Sequence, residues 1–172
     1  SDVDPEAVFR DAGLSPDNIP LPGSRFPLEN MREAWSLASE RISDPCFGAV
    51  AGNHWLPTDL HALGFAFLSS TTLINALKRV ARYNAIVDQV ISFEISQANN
   101  EVQLSYDNAR PDLPDIAALE VARWSTLLAM CRKAKSDEFS PIRMGLVQDN
   151  SDCRDSYREY FQCEIHFGQA TS

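Results

Sequence analysis

Arg123 and Trp124 stand side by side in "IAALEVARWSTLLAMCRKA", a stretch that is otherwise apolar around most of its girth. A guanidinium in such a setting has two physical solutions. It lies on the one wet stripe of a helix, or it is buried against an anion, because an unpaired buried charge costs too much. In the second case Arg123 is a candidate to hold a carboxylate through two parallel hydrogen bonds. Trp124, Tyr83 and Trp55 each join a ring to one polar tip, and with Arg123 they form a candidate ligand-binding set. The alternative for these three is core packing with a satisfied tip. The chemistry of the set is recognition of a small molecule; nothing in it breaks a bond.

Other reactive residue types do not assemble into a pattern. His54 and His61 are separated by a loop containing Pro57, with Asp59 the only nearby carboxylate, and His166 stands far along the chain. No zinc spacing results, and no metal is expected. The four cysteines, Cys46, Cys131, Cys153 and Cys163, include no Cys-x-x-Cys pair. They read as reduced, mostly buried thiols without a disulfide, which points to a reducing, cytoplasmic compartment. There is no Gly-x-Ser-x-Gly elbow and no glycine-rich loop after a strand, so neither an acyl-transfer nucleophile nor a phosphate cradle is present. Asp107, Asp112 and Asp115 surround a proline loop and read as turn formers. The chain is therefore read as a non-enzyme, and no cofactor is implied.

Lys78, Arg79 and Arg82 crowd one short stretch, "ALKRVARYN", yet the formal net charge is -9. Duplex binding rests on phosphate neutralisation and usually marks a basic domain. The cations are expected on the outer face of a helix. The longest apolar run, "ALGFAFL", is far too short to span a bilayer, and the acidic N-terminus has no signal-peptide character. No membrane partner is expected.

The elements that must position these residues can be read from period and caps. Asp4 and Pro5 start a helix that stops at Gly13. "PLENMREAWSLASERIS" carries Leu28, Met31, Trp35, Ala38 and Ile42 at helical spacing. "SPDNIPLPGSRF" and "RPDLPD" are loops. Asp44 and Pro45 restart a helix, "TDLHALGFAFLSS" gives a buried one, and Ser70 or Thr71 caps the amphipathic helix that ends near Tyr83. After residue 87 or so the period changes to two. Ile91, Phe93 and Ile95, then Val102, Leu104 and Tyr106, alternate with polar residues across Asn99-Asn100, which predicts a β-hairpin. The helix containing Arg123 follows, then a strand at "PIRMGLV", a helix at "DCRDSYREYFQ" and a strand at "CEIHF". The expected fold class is α+β, a helical N-terminal half packed on a small, largely antiparallel sheet with crossing helices, the last two strands joining the hairpin. One domain, 1–172, is expected from the length.

Three segments in this order, "DPCFGAVAG", "LGFAFLSSTTLINALKRVARY" and "YREYFQCEIHFG", resemble the N-terminal effector domain of a branch of the AraC/XylS family of bacterial transcription regulators. The sensor of that branch is called an arabinose-binding domain of AraC type. The resemblance spans about residues 5 to 168. It implies a small-molecule effector of unspecified chemistry, possible homodimers, and DNA contact only through a helix-turn-helix domain expected beyond the C-terminus. It transfers no ligand-contact motif, so the four site residues rest on physical reasoning alone. The competing reading is a ligand-free dimerisation or protein-interaction module.

Overall fold

Asp4 caps the first helix as its sequence position suggests. In the computed structural model its side chain accepts a hydrogen bond from the Glu6 amide (3.0 Å), and Pro5 opens helix α1, Pro5–Asp11. The helix ends where Gly13 turns left-handed at φ 72°, a conformation that costs glycine little. The structure describes residues 3–18, 25–108, 110, 112–113 and 116–170. Parts of both expected loops, 19–24 and 109, 111 and 114–115, lie outside the described residues, and Asp115 with them.

The chain falls into two compact units, 1–47 and 48–172. The first is a helical pair. Helix α2, Leu28–Arg41, places Ala34 against Val8, Ala12 and Leu14, with Phe9, Phe26 and Met31 packed around them. Asn30 donates to the Ala12 carbonyl (2.8 Å), and Arg41 pairs with Asp11 (2.6 Å).

The second unit is built around its longest helix. A 3-10 helix, Phe47–His54, leads to α3, His61–Leu68, and α4, Leu73–Tyr83. Thr72 caps α4 by accepting from the Asn75 amide (3.3 Å), in place of the expected Ser70 or Thr71. Ser70 is occupied by the preceding helix, donating to the Ala66 carbonyl (2.7 Å). A 3-10 turn, Asn84–Ile86, closes the helical half.

The hairpin follows as read: β1, Ile91–Ala98, pairs antiparallel with β2, Glu101–Asn108. Asn99 and Asn100 both take positive φ, 51° and 62°. That is the two-residue turn whose twist matches the strands, and asparagine tolerates it better than most residues. Phe93 and Tyr106 face one another across the strands, and both rings meet Trp124 at centroid distances of 6.2 and 5.6 Å. Trp124 belongs to α5, Ala117–Ala134.

Two features hold α5 in place. A Cβ added at Gly48 or Gly52 would lie 2.4 Å from the Ala118 carbonyl oxygen or 2.2 Å from that of Ser125, so the 3-10 helix lies backbone to backbone on α5. Buried Ser125 stitches the contact, its Oγ accepting from the Gly52 amide (3.0 Å) and lying 3.1 Å from the Gly48 carbonyl. On another side Glu120, with no exposed surface, accepts from the amides of Val147 (2.7 Å) and Gln148 (3.1 Å). Two charge-assisted bonds go far to offset burial of that carboxylate.

The last strands correct the expected sheet. β3, Arg143–Gly145, and β4, Glu164–His166, pair parallel with each other, and among the described residues they form a sheet separate from the hairpin. Helix α6, Arg154–Phe161, joins them. A strand that reaches its neighbour through a helix returns in the same direction. Period two identifies an apolar face but not the edge a strand will seek. The fold class remains α+β.

A second correction concerns sulfur. Cys46 and Cys153 are disulfide-bonded, and only Cys131 and Cys163 are free thiols. Sequence spacing carries no information on the Cα separation that a bridge requires.

Candidate functional site

The hairpin, α4, α5 and the β3–β4 end of the second unit line an open cleft of about 820 Å³. Each element sends apolar side chains into it for the reason that formed the element. Leu73 and Leu77 lie four residues apart on α4, and Leu104 comes from the inner face of β2. Trp124, Leu127 and Cys131 come from α5, spaced three and four residues apart along one face. Phe139 and Met144 add to the wall from the segment after α5.

Polar groups are fewer. Arg143 and Glu101 form an ion pair at 3.3 Å, with about half of each side chain still in solvent. Ser96, Asn99, Gln103, Ser105, Ser140, His166 and Gln169 complete the polar lining. Burial pushes the Cys131 thiol up to about 12, so it stays a neutral, apolar wall element at neutral pH and not a nucleophile.

The four residues predicted from sequence separate in space. Trp124 lines the cleft. Arg123 does not; its guanidinium lies 3.5 Å from the Asp88 carboxylate and 5.7 Å from the Tyr106 ring centroid, with 14% of the side chain exposed. Of its two alternatives, burial against an anion is the one realised, and an anion of this same chain is close by. Trp55 is buried in one core cluster with Phe67, Ala76 and Val80, and with the cleft residues Leu127 and Cys131, but does not itself line the cleft. Tyr83 is exposed at the end of α4, where the Arg82 guanidinium sits 5.3 Å from its ring.

Sequence reasoning missed Leu104, Phe139 and Arg143 as cleft residues. Leu104 showed only as a member of an alternating strand, and Phe139 and Arg143 carried no signal, because their positions depend on where the segment after α5 returns. Among the described residues no group of three or more His, Cys, Asp or Glu side chains could hold a metal ion. The basic face of α4 points outward: Lys78, Arg79 and Arg82 are exposed, and Arg79 donates to the Ala66 carbonyl (3.0 Å) at the end of α3.

The model of the family described as the arabinose-binding domain of AraC transcription regulators, N-terminal, matches residues 3–172. The chain belongs to this family. As a member of the AraC-type arabinose-binding-domain family, it is similar in structure to the transcriptional regulator CdpR from Pseudomonas aeruginosa, with a TM-score of 0.59 at 19% identity. At that identity the likeness is one of fold. The match covers 99% of this chain and 54% of that one, so the chain spans about half the length of that regulator. No curated protein matches the chain. No helix among the described residues of this AraC-type domain is long and apolar enough to cross a membrane.

Proposed function

We propose that this chain is the effector-sensing region of an AraC-type transcription regulator, and that a small molecule bound in the 820 Å³ cleft is its signal. The observation that carries the reading is the cleft itself. Its size falls in the range of small-molecule sites, and it combines a largely apolar wall with a few polar groups. Family membership supports a regulatory role for both units together as one sensing region. On this reading Trp124 touches the effector, and Arg123 acts by holding Asp88 near the hairpin. Trp55 and Tyr83 are assigned no ligand contact. The effector is read out by a DNA-binding domain elsewhere in the full-length cytoplasmic protein, in a homodimer, with no catalytic role and no membrane partner.

A thermal-shift screen with metabolites tests this, because a ligand that binds only the native state raises Tm. Hits should lose their effect when Ser140→Trp fills the cleft while the unliganded Tm stays near that of the parent chain. Hits that persist undiminished in this variant would place binding outside the cleft.

A second reading, a ligand-free dimerisation module, draws on the exposed Leu56, Phe65 and Ile86, each with more than half of its surface in solvent. A dimer measured by light scattering that dissociates on Phe65→Asp, together with a screen empty of hits, would favour it.

A further inference from the structure

Resting on the reading of the cleft as the effector site, the geometry points to an effector with an apolar body and an anionic end, of the class of medium-chain or aryl-alkyl carboxylates, and not a sugar. The wall decides the body. Leu73, Leu77, Leu104, Leu127 and Phe139 offer no hydrogen-bonding side-chain atom, and Cys131 offers only a neutral thiol. A pentose carries a hydroxyl on nearly every carbon, and each one buried without a partner costs roughly 1–3 kcal/mol in protein mutational data. A hydrocarbon chain or ring loses nothing against the same wall and gains from each buried CH₂.

The polar lining decides the other end. Arg143 is the one fixed cation among the lining residues, and its carboxylate partner Glu101 lines the cleft with it. A ligand carboxylate of the right reach competes for the Arg143 fork, which is built for two parallel N–H···O bonds. Because Glu101 stands on the hairpin and Arg143 on β3, an anion taken by Arg143 loosens a link between these two elements. A signal can start at this point.

Decanoate (below its micellar concentration), decanol and L-arabinose are the probes, each tested for a rise in Tm and for slowing the reaction of a Ser140→Cys reporter with a thiol reagent, read by mass. Ser140 lines the cleft; the reporter is placed in a Cys163→Ser background, and the buried native Cys131 reacts far more slowly. Decanoate is expected to raise Tm and to protect the reporter. Arg143→Ala should weaken decanoate about tenfold or more, the loss that follows from a charge-assisted bond, and leave decanol unchanged. Protection by L-arabinose with none by decanoate would overturn the ligand class and keep the cleft as the site. A rise in Tm with decanoate that leaves the reporter unprotected would overturn the cleft itself. Absence of any response to decanoate would overturn the class, as would an equal loss of decanoate and decanol in Arg143→Ala.

Discussion

Glu120 is the residue with most at stake on its own. It has no exposed surface, and its carboxylate accepts from two successive amides, Val147 and Gln148. Glu120→Gln keeps one acceptor oxygen but surrenders the charge, and should cost roughly 1.5–3 kcal/mol in urea unfolding. Glu120→Ala leaves both amides unpaired and should cost more, roughly 3 kcal/mol or above. A Glu120→Gln variant as stable as the parent would show that charge contributes nothing there. The free thiols make a separate prediction. Burial pushes Cys131 from its ordinary 9.0 to about 12 and Cys163 to about 11. A folded-state value above the unfolded one means stability fully present below pH 9.0 and lost as pH rises toward 11 and 12. Denaturation midpoints should fall across that window, and Cys131→Ala should flatten the upper part of the fall relative to the parent chain.

At the scale of elements the critical contact is that between the Phe47–His54 3-10 helix and α5. Gly52 has no room for a Cβ, since it would meet the Ser125 carbonyl oxygen at 2.2 Å, a backbone atom that cannot turn aside. Gly52→Ala must push the two elements apart and break the Ser125 bridge. The expected loss is roughly 1–3 kcal/mol from overpacking, with a further ~1 kcal/mol if the Gly52 amide loses its bond to Ser125. Because α5 carries Trp124, Leu127 and Cys131 into the cleft, the same variant should weaken binding of the proposed effector with no residue of the cleft wall altered. Chemical unfolding together with calorimetry checks both halves. Gly168, with open space around the Cβ position but φ at 67°, shows the contrasting case in which backbone conformation and not crowding favours glycine.

For the whole molecule, the disulfide is the feature to verify first. Two of the four cysteines are bonded, so a thiol titration under denaturing, non-reducing conditions should find two free thiols, and four after reduction. Four from the outset would restore the expectation read from sequence. The net charge of -9 also belongs at this scale. A charge of this sign opposes binding to nucleic-acid phosphates.

What the sequence determined by itself was local. The Asp4–Pro5 start, the stop at Gly13, the Asn99-Asn100 turn and the period-two strands all depend on residues within a few positions of one another, where caps, φ preferences and side-chain alternation act. The order of short segments was enough to place the chain in its family. Tertiary structure alone decided which candidate residues share a site. Arg123 and Trp124 are neighbours in the chain, yet the helix turns them about 100° apart, one to Asp88 and the other to the cleft. The separation of β3 and β4 from the hairpin depends on contacts between segments far apart in sequence. Those contacts are selected by packing and chain closure, for which no short pattern of residue types is a signal.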